Sequence, residues 1–245
     1  MPRYKAVLEY DGTNFEGWQS QPHGNTVQQF VEQSFAKINF QNIKIFGSGR
    51  TDSGVHALGQ VFHFDSVERF DCGKIISGLN HFLNKKSVSI LTLETIDDHF
   101  DARRDAKKRT YIYKILNRTS PPTLQKNQYW HVSKKLDVNL MNDSAKFFLG
   151  EHDFTTFRSV SCEAKSPIRL IENSKIDVKE DEIYYTIQSR SFLQHQVRSM
   201  VGALKFIGEG KWTLDSLSSA LAFKDRKKCA TPAPSCGLYL KQVDY

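Results

Sequence analysis

Gly47-Ser48-Gly49-Arg50-Thr51-Asp52-Ser53-Gly54-Val55-His56-Ala57-Leu58-Gly59-Gln60-Val61-Phe62-His63-Phe64 is the stretch on which the fold turns. Four glycines in its first thirteen residues allow positive φ and close backbone approach, and between them stand a fixed cation (Arg50), a carboxylate (Asp52) and an imidazole (His56). A short strand near 43 to 47 leads in. Gln60 to Phe64 leads out as a second strand, with His63 facing away from Phe62 and Phe64. Taken alone, the loop reads either as a functional site or as a tight connection in which Asp52 caps a turn and Arg50 is solvated.

Working outward, Tyr4, Ala6, Leu8 and Tyr10 alternate as in a half-buried strand, which Asp11-Gly12-Thr13-Asn14 ends. Thr26 and Gln29 form a capping box ahead of Val27, Phe30, Val31, Phe35 and Ile38, which recur at helical spacing. Beyond the central stretch, Asp71 caps a helix with the apolar stripe Ile75, Ile76, Leu79, Phe82 and Leu83, and residues 88 to 96 read as a strand. The order strand, helix, strand, strand, helix, strand is the split unit of ferredoxin-like folds and RNA-recognition modules.

From Arg109 the pattern restarts. A strand over 109 to 116 precedes a helix from Asp137 to Gly150, then strands at 168 to 178 and 182 to 190 joined at Glu180-Asp181. A helix carrying Val197, Val201, Leu204 and Ile207 follows, then an extra helix capped by Thr213, then a closing strand from Leu238 to Val243. The expected fold is therefore α+β, with two ferredoxin-like, RNA-recognition-like β-α-β-β-α-β halves around a central cleft. The halves are 1–105, carrying the Asp52 loop, and 106–245, and a cleft between halves is a natural ligand position.

Composition narrows the function. The chain has 245 residues, 39% hydrophobic and 25% charged, as expected of a folded globular protein. With no apolar run of membrane-spanning length and no signal-peptide pattern, the reading is a cytoplasmic protein without a membrane partner. Cys72, Cys162, Cys229 and Cys236 lack zinc-site spacing, so reduced thiols and no metal are expected. The net charge of +7 favours a polyanion, and Arg103, Arg104, Lys107, Lys108 and Arg109 cluster, as do Arg226, Lys227 and Lys228. Either cluster alone also suits a solvated face.

The central stretch resembles the G-R-T-D-x-G-V-H-A signature of the tRNA pseudouridine synthase A family. So do Tyr10-Asp11-Gly12 with Gly17-Trp18-Gln19, Phe100-Asp101-Ala102-Arg103, Arg109-Thr110-Tyr111-Ile112-Tyr113, the run from Phe192 to Gly202, and Gly237-Leu238-Tyr239-Leu240, in the family's order. Ser53 and Asp101 stand where that pattern more often has Ala and His.

The resemblance implies a pseudouridine synthase fold and conversion of uridine to pseudouridine at positions 38, 39 and 40 of the tRNA anticodon stem-loop, by a homodimer that needs no cofactor. Asp52 is then the catalytic carboxylate, as nucleophile or as base at the sugar, and a neighbouring guanidinium favours its ionised form. Arg50 and Arg198 are both candidates for that guanidinium, and the resemblance favours Arg198. Tyr111 and Tyr113 share a strand face, where core packing is the usual fate; the resemblance singles out Tyr111 to stack on the uracil and assist C5 deprotonation. His56 reads equally as an RNA contact and as a brace for the turn. Arg50, Arg103, Lys107 and Lys108 are the candidates for holding the RNA backbone while the target base is exposed.

The competing reading is a non-catalytic tandem RNA-binding module, although the strands lack its aromatic signature. A glycoside hydrolase would need a second carboxylate in a setting like that of Asp52.

Overall fold

Tyr4, Ala6, Leu8 and Tyr10 all point to one side of the first strand, β1 (Arg3–Tyr10), and all are buried. The computed structural model describes residues 1–22 and 24–245. After β1 come α1 (Val27–Lys37), β2 (Phe46–Gly47), β3 (His56–Asp65), α2 (Cys72–Leu83) and β4 (Val88–Ile96). Then follow β5 (Lys108–Leu116), β6 (Trp130–His131), α3 (Val138–Ala145), β7 (Gly150–Asp153), β8 (Ile168–Lys179) and β9 (Glu182–Ser189). The chain ends with α4 (Gln196–Gly208), α5 (Leu214–Phe223) and β10 (Leu238–Asp244). Among the described residues no helix is long and apolar enough to cross a membrane.

These elements form two compact units, Met1–Lys107 with Tyr239–Tyr245, and Lys108–Leu238. In the first, β1 pairs antiparallel with β3 on one side and β4 on the other. The opposite edge of β3 is shared, with β2 antiparallel at Phe62 and His63 and β10 parallel at His56 and Ala57. Helices α1 and α2 start where their caps demand: the Thr26 hydroxyl accepts from the Gln29 N–H, and the Asp71 carboxylate from Gly73 and Lys74. Their apolar stripes, including Val31, Phe35, Leu79 and Leu83, are buried. Phe35 packs on Phe64 of β3, whose ring also stacks with Tyr4.

In the second unit β5, β9, β8 and β7 pair in that order, all antiparallel, and β6 lies parallel on β5. The β8–β9 hairpin turns at Glu180, whose φ is 55°. Helix α4 is buried along nearly its whole length, and α5 opens with a full capping box between Thr213 and Ser216.

Two features differ from the sequence reading, and a third goes beyond it. The helix expected to run to Gly150 ends at Ala145 and tightens into a 3-10 turn, while Gly150 opens β7, a strand too short and polar to show a pattern. The closing strand, read as the end of the second half, pairs with β3 and lies in the first unit from Tyr239 onward. The sequence says of His63 only that it faces away from Phe62 and Phe64, and the structure adds what covers it. It is buried like Phe62 and Phe64, because Phe46 stacks on its ring and Phe100 meets it edge-on.

Candidate active site

Asp52 sits in a turn held from several directions by its own unit. Its carbonyl accepts the Val55 N–H at 3.1 Å and closes the turn. The Thr51 carbonyl accepts from the Trp18 N–H at 3.1 Å, and the Phe15 carbonyl accepts from the Gly54 N–H at 3.2 Å. The Thr51 hydroxyl lies 2.8 Å from that of Tyr10, and the Ser53 hydroxyl donates to the Phe15 carbonyl. Segments 10–18 and 51–55 are thus laced together by backbone and hydroxyl groups, while the Asp52 side chain is half-buried.

Glycine makes this lacing possible. A Cβ on Gly12 would stand 2.0 Å from the Val55 carbonyl oxygen, and one on Gly17, where φ is +100°, would stand 2.5 Å from that of Thr51. The Gly12 N–H donates to His56 Nδ1 at 3.0 Å, and the His56 ring stacks on Tyr239 with centroids 4.6 Å apart. His56 therefore braces the turn, the second of its two sequence readings. On the approach to the turn, Gln60 ties its strand to the glycine run. Its Oε1 accepts from the Ser48 hydroxyl at 2.7 Å, and its Nε2 donates to the Gly49 carbonyl at 3.0 Å. Sequence reasoning missed Gln60; the available signal was a lone amide beside the apolar Val61-Phe62 pair.

In the second unit, Tyr111 lies on β5 with its ring edge-on to Phe192 at a centroid distance of 5.2 Å. Tyr113, on the same face, is fully buried and donates its hydroxyl to the Pro234 carbonyl at 2.7 Å. Burial pushes the Tyr113 phenol well above its ordinary value. Arg198, in the first turn of α4, is half-buried. Its Nε donates to the Ala233 carbonyl at 2.8 Å and its own carbonyl accepts from the Ala233 N–H at 2.9 Å, so Ala233 holds both the backbone and the guanidinium of this residue.

The basic candidates differ in setting. Arg50, Arg103 and Lys107 have exposed side chains. Lys108 pairs with Glu172 of β8, with Nζ 3.0 Å from Oε2.

A family model described as tRNA pseudouridine synthase matches residues 6–105 and 144–245. The tRNA pseudouridine synthase A of Parvibaculum lavamentivorans is 48% identical over 245 residues, covering all of both chains. That of Bartonella quintana is 46% identical over 247 residues, again covering both chains fully. That of Pelagibacter ubique is 44% identical over 246 residues with the same coverage.

Proposed function

Since the chain belongs to the tRNA pseudouridine synthase family, isomerases that convert uridine to pseudouridine in tRNA, we propose that Asp52 carries this reaction at positions 38, 39 and 40 of the anticodon stem-loop. The observation that carries the assignment is the lacing of the 51–55 turn to 10–18, which holds one carboxylate on a backbone with little freedom to move. Pre-positioning of this kind is what a reacting group requires.

The reaction breaks the N1 to C1′ bond, turns the uracil and joins C5 to C1′. The C5 proton is lost, N1 regains one, and no electrons or atoms are exchanged with a co-reactant. A carboxylate serves either by attacking C1′ or by taking a sugar proton to open a glycal route. Tyr111 stacks on the displaced uracil and its hydroxyl assists removal of the C5 proton, while Arg198 and Arg50 bind substrate. Arg103, Lys107 and Lys108 offset the few kcal/mol needed to unstack the base, by contacts to the RNA backbone. The enzyme acts as a homodimer in the cytoplasm, where its tRNA substrate resides.

The test is to incubate an unmodified tRNA transcript with the protein and with Asp52→Asn, then map pseudouridine. Wild type should modify 38 to 40. The variant should form none, with tRNA affinity changed by less than about tenfold, or about 1.4 kcal/mol. Product from Asp52→Asn would sink the assignment, and tRNA binding without product from wild type would favour the binding-module reading.

A further inference from the structure

Directly before Arg103, one of the candidate RNA contacts, both backbone polar groups of Ala102 are held by side chains. Its N–H donates to His63 Nδ1 at 3.1 Å, and its carbonyl accepts from the Tyr245 hydroxyl at 2.7 Å. Both partners come from elsewhere in the first unit, His63 from β3 and Tyr245 from just after β10. Each clamping side chain is itself fixed. The His63 ring lies between Phe46 and Phe100, and the Tyr245 ring packs on Phe100 at 4.9 Å with the Lys5 ammonium 5.3 Å from its centroid.

Neighbouring residues are held as well. Arg3 Nη1 donates to the Phe100 carbonyl at 2.8 Å while the rest of its guanidinium grips Asp65 at 2.8 and 2.9 Å. The Asp101 carboxylate accepts from the Arg103 and Arg104 N–H groups, and the Lys107 N–H donates to the Asp244 carbonyl at 2.8 Å. Ala102 is fully buried, so these bonds satisfy its backbone groups, and they also fix the residue that directly precedes Arg103. This loop carries a run of cations, Arg103, Arg104 and Lys107, all with exposed side chains.

We propose that His63 and Tyr245 are positioning residues for tRNA binding: by clamping the N–H and the carbonyl of Ala102 they hold Arg103 where it meets the RNA backbone. The inference rests on Arg103 being an RNA contact, as assigned under the proposed function. Neither side chain touches substrate. Each works by removing conformational freedom that Arg103 would otherwise lose on binding.

The experiment measures kcat and KM on an unmodified tRNA transcript for Tyr245→Phe, which keeps the ring and loses the hydroxyl, and for His63→Phe, which keeps a ring and loses the acceptor. Both are combined with Arg103→Ala, and His63→Asn serves as the variant whose Oδ1 replaces the Nδ1 acceptor. Removing one hydrogen bond should raise KM by about three- to tenfold, with kcat at saturating tRNA within about twofold and the melting temperature recorded alongside. His63→Asn should stay near wild type, and in the Arg103→Ala background neither phenylalanine variant should add a further effect. Effects that persist undiminished in that background would overturn the clamp as the means of placing Arg103. So would an unchanged KM in Tyr245→Phe when Arg103→Ala is weakened. If Arg103→Ala alone leaves KM unchanged, it is the reading of Arg103 as an RNA contact that fails, and the clamp's role falls with it.

Discussion

Gly12 and Val55 meet so closely that a Cβ on the first would stand 2.0 Å from the carbonyl oxygen of the second. The obstruction is backbone and has no rotamer to escape into. Gly12→Ala must therefore push the 51–55 turn away, in a class of overpacking that costs about 1 to 3 kcal/mol. A shift of about 1 Å at a reacting group lowers rate on the order of 10²-fold. The expected outcome is a lowered melting temperature and a fall in single-turnover rate of at least about tenfold, with tRNA binding little changed. Normal turnover in Gly12→Ala would mean that the turn tolerates displacement and that lacing to 10–18 is not what places Asp52.

Much of this arrangement was legible in local pattern. Thr26, Asp71 and Thr213 marked the starts of α1, α2 and α5 because each cap needs only its own side chain and amides two or three residues on. The alternation from Tyr4 to Tyr10 marked β1 because one of its faces is buried and the other is not. What escaped depends on partners distant in sequence. The pairing of Tyr239 with His56 joins residues far apart along the chain and leaves no periodic trace. The Lys108–Glu172 pair is likewise set by the tertiary fold, so a run of five basic residues looked uniform when its members are not. The resemblance to a family singled out Asp52, Tyr111 and Arg198 as candidates; His56 stood in sequence between an RNA contact and a brace, and that choice, like the role of Gln60, comes from the three-dimensional structure.

Salt dependence should separate two adjacent lysines. Abolishing a single phosphate contact lowers the slope of log affinity against log salt by about 0.7 to 0.9. Lys107 has an exposed side chain, whereas the Lys108 charge is already met by Glu172 at 3.0 Å. Lys107→Ala should lower the slope by close to a full contact and Lys108→Ala by distinctly less. Equal slopes in the two variants, measured by filter binding across a salt series, would show that Glu172 does not compensate Lys108 in the complex.

Acid should weaken the first unit in two steps. Burial, reinforced by the Arg3 guanidinium and opposed by Asp101, Asp65 and Asp105, holds the His63 imidazole below its ordinary value. The unfolded chain therefore takes up that proton first, so stability is full above about pH 6.5 and falls as pH drops from there through the lower folded value. Lower still, Asp65, kept below the usual carboxylate range chiefly by its hydrogen bond to Arg3, contributes stability that is lost as pH falls through its own folded value. Melting temperature against pH should show the upper step in wild type and lose it in His63→Phe. An identical profile in both proteins would assign the step to another group.

Tyr111 and Tyr113 share a face of β5, yet their contacts differ. The Tyr113 hydroxyl is buried and donates to the Pro234 carbonyl at 2.7 Å, so Tyr113→Phe leaves that acceptor without its donor, at a cost of about 1 to 3 kcal/mol. Its melt should drop, and any loss of activity should follow the melt. Tyr111 meets Phe192 through its ring, a contact that Phe reproduces, so Tyr111→Phe keeps that packing and its melt reads what the hydroxyl alone adds to the fold. If its hydroxyl assists in taking the C5 proton, single-turnover conversion of tRNA should nonetheless slow by about 10² to 10⁴. Near wild-type conversion by Tyr111→Phe would reduce the residue to a stacking surface and move the base elsewhere. A melt lowered as far as that of Tyr113→Phe would instead place the hydroxyl in the packing of the fold, because a group that acts only on substrate has no effect on the unfolding of the free protein.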